Sequence, residues 1–156
     1  MRHATITEAT LVSDSRFASA AKARGRSLRT TPAWFSAAYF SGALVTDLAY
    51  WQVPDVLWER FSIWLVTAGL IMAGLAIIAY VIDLAGGRQI EMPALPRVTG
   101  YAFAVLLSLM NAFIHSRDGY TAVVPTGLML SVLVVVVLLL TVWVDRTSSN
   151  RHQIGG

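Results

Sequence analysis

Four stretches of the chain carry almost no charge: Pro32 to Trp51, Phe61 to Leu84, Val98 to Ile114, and Ala122 to Val144. Each comes close to the ~20 residues that a helix needs to cross ~30 Å of hydrocarbon. Pro54, the Gly86-Gly87 pair with Pro93 and Pro96, and Gly119 fall between these runs, where residues that break helices mark links. Short links make consecutive helices antiparallel neighbours. The pattern predicts an all-α protein, a four-transmembrane-helix antiparallel bundle over residues 31–146. A basic, largely disordered N-terminal tail (1–30) precedes it and a C-terminal tail (147–156) follows.

Inside a bilayer both faces of a helix can be apolar, so small and polar residues mark the packing seam. In the second run Ser62, Val66, Gly69, Ala73, Ala76, Tyr80 and Asp83 recur in steps of four and three, which places them on one stripe. Arg97, Tyr101, Ala104, Ser108, Asn111, His115 and Asp118 obey the same spacing in the third and form a mostly polar stripe. The first run offers two adjacent rows, one through Ala38, Gly42 and Thr46, the other through Ser36, Tyr39, Ala43, Asp47 and Tyr50. The fourth contributes Gly127 and Ser131 to an otherwise Val- and Leu-rich surface, so it is expected to face lipid most.

Composition agrees with this pattern. Hydrophobic residues make up 56% and charged residues 13%, against roughly 45–50% and about 25% in a soluble domain. The first 31 residues hold no apolar core of the kind that a cleaved signal peptide needs. Positive charge sets the orientation, because Lys and Arg near span ends stay on the cytoplasmic side. Arg2, Arg16, Lys22, Arg24, Arg26 and Arg29 precede the first span, Arg88 and Arg97 lie in the second link, and Arg146 and Arg151 follow the fourth. Arg60 and Arg117 fall on the other side. A multi-pass protein of the bacterial cytoplasmic (inner) membrane with both termini cytoplasmic is therefore expected. The excess charge of +3 is concentrated in the tail "AKARGRSLR". Next to a span, such a segment meets anionic lipid at about 1 kcal/mol per basic residue near the surface, rather than nucleic acid.

The chain has no cysteine, which removes thiol catalysis, disulfides and Cys-ligated metal. It also lacks a Walker loop, a GxGxxG turn, HExxH and GxSxG, so no enzyme activity is expected. The chemistry that remains lies near the span ends. Asp47 sits four residues inside Trp51, and His115 five residues inside Tyr120. Both aromatics are interfacial markers, so the two ionisable residues reach similar depth. A buried charge there costs up to ~2.5–3.5 kcal/mol and has to find a partner. Asp47 with His115 is the expected pair, with Asn111 one turn deeper and Arg117 as a competing partner. Asp47, Asn111, His115 and Asp118 fit either of two roles. One is an interhelical clamp; the other is an outward-facing site for a proton, an ion or a small polar ligand, since unperturbed histidine titrates near neutral pH. At the inner end, Asp83 closes the second helix where the dipole disfavours negative charge, and Arg88 or Arg97 is expected to pair with it. His3 and His152 lie in the tails, away from His115, so no bis-histidine haem, metal or other cofactor is expected.

The segments "SGALVTDLAYWQ" (Ser41 to Gln52), "FSIWLVTAGLIMAGLAIIAYVID" (Phe61 to Asp83) and "NAFIHSRDGYTAVVPTGLMLS" (Asn111 to Ser131) resemble the bacterial membrane proteins of domain-of-unknown-function family 2231. The resemblance runs from about Thr31 to the C-terminus. It implies a four-helix inner-membrane protein without an assigned activity, whose recurrent polar positions are matched by Asp47, Asp83, Asn111, His115, Arg117 and Asp118. Family members often open the first helix with His-Pro, whereas this chain has Thr31-Pro32, so no role of that His carries over. The expected function is structural or accessory, with lipid and partner membrane proteins or further copies of the chain as its contacts. A transport or proton-linked module and a redox-accessory subunit are the alternatives.

Overall fold

The structure is a computed structural model, and it describes residues 19, 30–86, 95–116 and 123–154. Among these residues the secondary structure is helical, in four helices. We name them α1 (residues 30–52), α2 (Val56–Ala85), α3 (Leu95–Ser116) and α4 (Leu128–Ile154). A kinked turn, Val123–Gly127, leads into α4 and contains an extended residue, Val124. The segments Val56–Ala85, Leu95–Ser116 and Val124–Thr147 are long and apolar enough to cross a membrane.

Local chemistry explains the ends. Pro96, expected in a link, occupies the first turn of α3, where a missing N–H costs no helical bond. Asp55 caps α2, accepting from the Leu57 amide at 2.9 Å, and Glu59 adds a favourable negative charge to the first turn. The Gly86 amide closes the far end on the Ile82 carbonyl. Helix α4 runs past its apolar stretch into the expected C-terminal tail as far as Ile154. The sequence after Val144 offers no Gly or Pro to stop it before Gly155.

Contacts between helices keep a steady register. Position rises on one helix as it falls on the other between α1 and α2 (Asp47 with Ser62, Phe40 with Gly69). The same holds between α3 and α4 (His115 with Gly127, Asn111 with Ser131, Arg97 with Asp145). Between α1 and α3 position rises together, from Ser36 with Tyr101 to Asp47 with His115.

The faces that pack are small or polar. Helix α2 buries Ser62, Val66, Gly69, Ala73, Ala76 and Asp83, all from the stripe read in the sequence, while Tyr80 is half-buried. Helix α3 buries Ala104, Ser108, Asn111 and His115. Helix α1 uses the second of its two rows, burying Ser36, Ala43, Asp47 and Tyr50, with Phe40 and Thr46 beside them. Phe40, Ala104 and Val134 form the apolar centre, packed by Leu70, Val105, Leu107, Val137 and Leu138. A Cβ at position 69 would lie 2.5 Å from Phe40 Cε1, so Gly69 is what lets the ring lie on the α2 backbone. Large apolar side chains such as Trp64, Ile82, Phe113 and Leu139 point outward. This distribution reverses that of a water-soluble domain and suits a lipid solvent.

Candidate functional site

One carboxylate joins all four helices. Asp47 is fully buried near the end of α1. Its Oδ1 accepts from the Ser62 hydroxyl of α2 at 2.5 Å and faces His115 Nε2 of α3 at 3.2 Å. Its Oδ2 accepts from the Ser131 hydroxyl of α4 at 2.5 Å. Ser131 in turn accepts from Asn111 Nδ2 at 2.8 Å. Each partner comes from its helix's buried stripe, so the spacing that builds the seam also delivers the donors.

The hydrogen-bond pattern limits the protonation states. His115 Nδ1 lies 3.0 Å from the Asn111 carbonyl one turn earlier, and a carbonyl only accepts, so Nδ1 carries a hydrogen. A neutral ring would then turn the lone pair of Nε2 towards Asp47 Oδ1, which repels it. The 3.2 Å contact is attractive only with a proton between the two atoms. Whichever atom holds that proton, the pair is neutral overall, and this removes the largest part of the cost of burying two ionisable groups. Both side chains have 0% exposure.

Other buried hydroxyls satisfy themselves locally. Thr46 bonds back to the Ala43 carbonyl and Ser108 to that of Ala104, as helical Thr and Ser often do. The Tyr101 hydroxyl donates to buried Ser36 at 2.9 Å, tying α1 to α3 towards their other ends. Among the described residues no three His, Cys, Asp or Glu side chains gather as a metal site would require.

The structure therefore brings together Asp47, Asn111 and His115, while Arg117 and Asp118 lie outside the described residues. Ser62 and Ser131, which touch the carboxylate directly, belong to the stripes but were not singled out as site residues. Their signal is their place on the seam level with Asp47. Of the cations expected near Asp83, Arg97 is bonded to Asp145 of α4, and Arg88 lies outside the described residues. The position of Arg97 at the start of α3 does not reveal that Asp145 of the returning α4 lies beside it. Asp83 itself is buried at the end of α2.

Residues 33–156 match the DUF2231 family, described as predicted membrane protein. Comparison with curated proteins and with solved structures returns no match. The chain belongs to the DUF2231 family.

Proposed function

We propose that this DUF2231 protein is a structural or accessory protein of the bacterial cytoplasmic membrane, without catalytic activity of its own, and that the Asp47 cluster is its interhelical clamp. The observation that carries the reading is the full burial of Asp47 and His115, with the carboxylate bonded to a side chain from each other helix. A transport or proton-linked role needs a route from solvent to that pair.

In this reading α1 is a fourth span and the bundle is antiparallel. Helix α1 is less apolar than the others because its polar residues, Ser36, Thr46 and Asp47, are turned inward, while Trp34, Phe35, Val45 and Leu48 remain exposed for lipid. The distribution of basic residues favours cytoplasmic termini. The basic tail lies on anionic headgroups, and the protein works beside partner membrane proteins or further copies of itself.

Two experiments test this. In the full-length chain, which has no native cysteine, Gly119→Cys should react with an impermeant thiol reagent from outside the cell and Gly87→Cys should not; the reverse result overturns the orientation. His115→Gln should lower the melting temperature in detergent, and by more at pH 6 than at pH 8, because the folded pair holds a proton that the unfolded histidine gives up as the pH rises; an unchanged melting temperature at both pH values overturns the clamp. A pH-dependent flux of protons or solute across the membrane that vanishes in His115→Gln would favour the proton-linked alternative.

A further inference from the structure

One atom of the Asp47 cluster is unaccounted for. Ser131 has a single hydroxyl proton, which goes to Asp47 Oδ2, so its oxygen has to accept from Asn111. This fixes the amide with Nδ2 towards Ser131 and Oδ1 turned away. Asn111 is 2% exposed, and its Oδ1 receives no hydrogen bond among the described residues. A buried carbonyl acceptor without a donor is costly, most of all where no bulk water can substitute.

The surroundings of that atom are specific. A Cβ built on residue 127 would stand 3.6 Å from Asn111 Oδ1, 3.5 Å from His115 Nδ1 and 2.9 Å from His115 Cε1. Because residue 127 is glycine, its backbone can lie close against the edge of the His115 ring, where a side chain would meet Cε1. The imidazole cannot serve Oδ1, since its Nδ1–H is already directed at the Asn111 carbonyl and its Nε2 faces Asp47.

We propose that Asn111 Oδ1 and Gly127 form a binding site for one small neutral hydrogen-bond donor, a water molecule, seated between α3 and the start of α4 against the edge of the His115 ring. A cation is disfavoured there, because the ring edge it would meet carries Cε1–H and Nδ1–H, both positive. Water fits that edge with its oxygen and directs a hydrogen at Oδ1. Buried waters commonly satisfy such leftover polar groups. The site belongs to the clamp and rests on that reading, which it changes from a dry plug to a hydrated one.

The test uses the full-length chain in lipid nanodiscs with [15N]asparagine. The sequence has two asparagines, Asn111 and Asn150, and Asn150→Gln leaves one side-chain amide signal. The expected result is cross-relaxation from a long-lived water to the Asn111 side chain. Its absence overturns the proposal, as does a donor from residues 117–122 found on Oδ1. Gly127→Ala and Gly127→Ser place the same Cβ against His115, and both should lose the water signal. Only Ser carries a hydroxyl that can replace the water, so it should melt several degrees above Ala; equal melting counts against the site. If neither variant folds, the wild-type signal decides alone. A His115→Gln protein that melts like the wild type sinks the clamp without touching the water signal, so the two failures are distinguishable.

Discussion

Two acid–base contacts bind helices at opposite ends of α3, and their surroundings could hardly differ more. Asp47 and His115 have fully buried side chains, and the carboxylate is also held by Ser62 and Ser131. Arg97 and Asp145 make a direct ion pair, but their side chains are 54% and 19% exposed. What distinguishes them is the alternative open to each group when the contact breaks. At the Arg97 end, water or headgroups take over. At the Asp47 end nothing does, because each neighbouring donor is itself committed to the cluster. Exposed pairs therefore contribute little, while breaking a buried one leaves an uncompensated charge or an unmet donor.

The sharpest way to break this contrast is Asp47→Ala. It strands the Ser62 and Ser131 hydroxyls and leaves His115 without its partner, so a loss of ~3 kcal/mol is expected, read from denaturation in mixed micelles. A loss no larger than that of Asp145→Ala would erase the difference between the two ends. Next in size come the two serines. Ser131 both donates to Asp47 and accepts from Asn111, whereas the cross-helix bond of Ser62 is the one to Asp47. Ser131→Ala should therefore cost more than Ser62→Ala, with each bond contributing ~0.6–2 kcal/mol in a membrane bundle. The double variant should fall short of the sum, since both act on one carboxylate. Equal single effects would mean that the Asn111 bond contributes nothing.

Much of this arrangement was legible in the sequence because lipid simplifies the code. Where every outward position is apolar, a polar or small residue recurring at helical spacing has one place to go, and the α2 stripe from Ser62 to Asp83 was readable on that ground. Depth was readable too, since aromatic residues at the span ends put Asp47 and His115 level with each other. Three things were not legible. Phe40 lies on the seam because Gly69 makes room across the interface, a complementarity between two helices that neither displays alone. The choice between the two rows of α1 depends on rotation about its axis, which packing sets. Arg97 found Asp145 because α4 returns beside α3, and charge spacing along one helix does not reveal which neighbour supplies the partner.

That last pair gives the smallest expected effect and the strictest check on the comparison. Arg97→Ala removes a guanidinium that is more than half exposed, and Asp145 keeps access to water or headgroups when the Arg is gone. The expected loss is at most ~1 kcal/mol at low ionic strength. It should shrink further in 0.5 M salt, where the Debye length falls to about 4 Å. The Asp47→Ala penalty should not respond to salt, because mobile ions do not enter the bundle. The discriminating measurement is therefore the salt dependence of both penalties in the same micelle. If the Asp47 penalty also fell with salt, the cluster would have to be in contact with the aqueous phase, and a solvent-reachable site would replace the closed clamp as the better account of this protein.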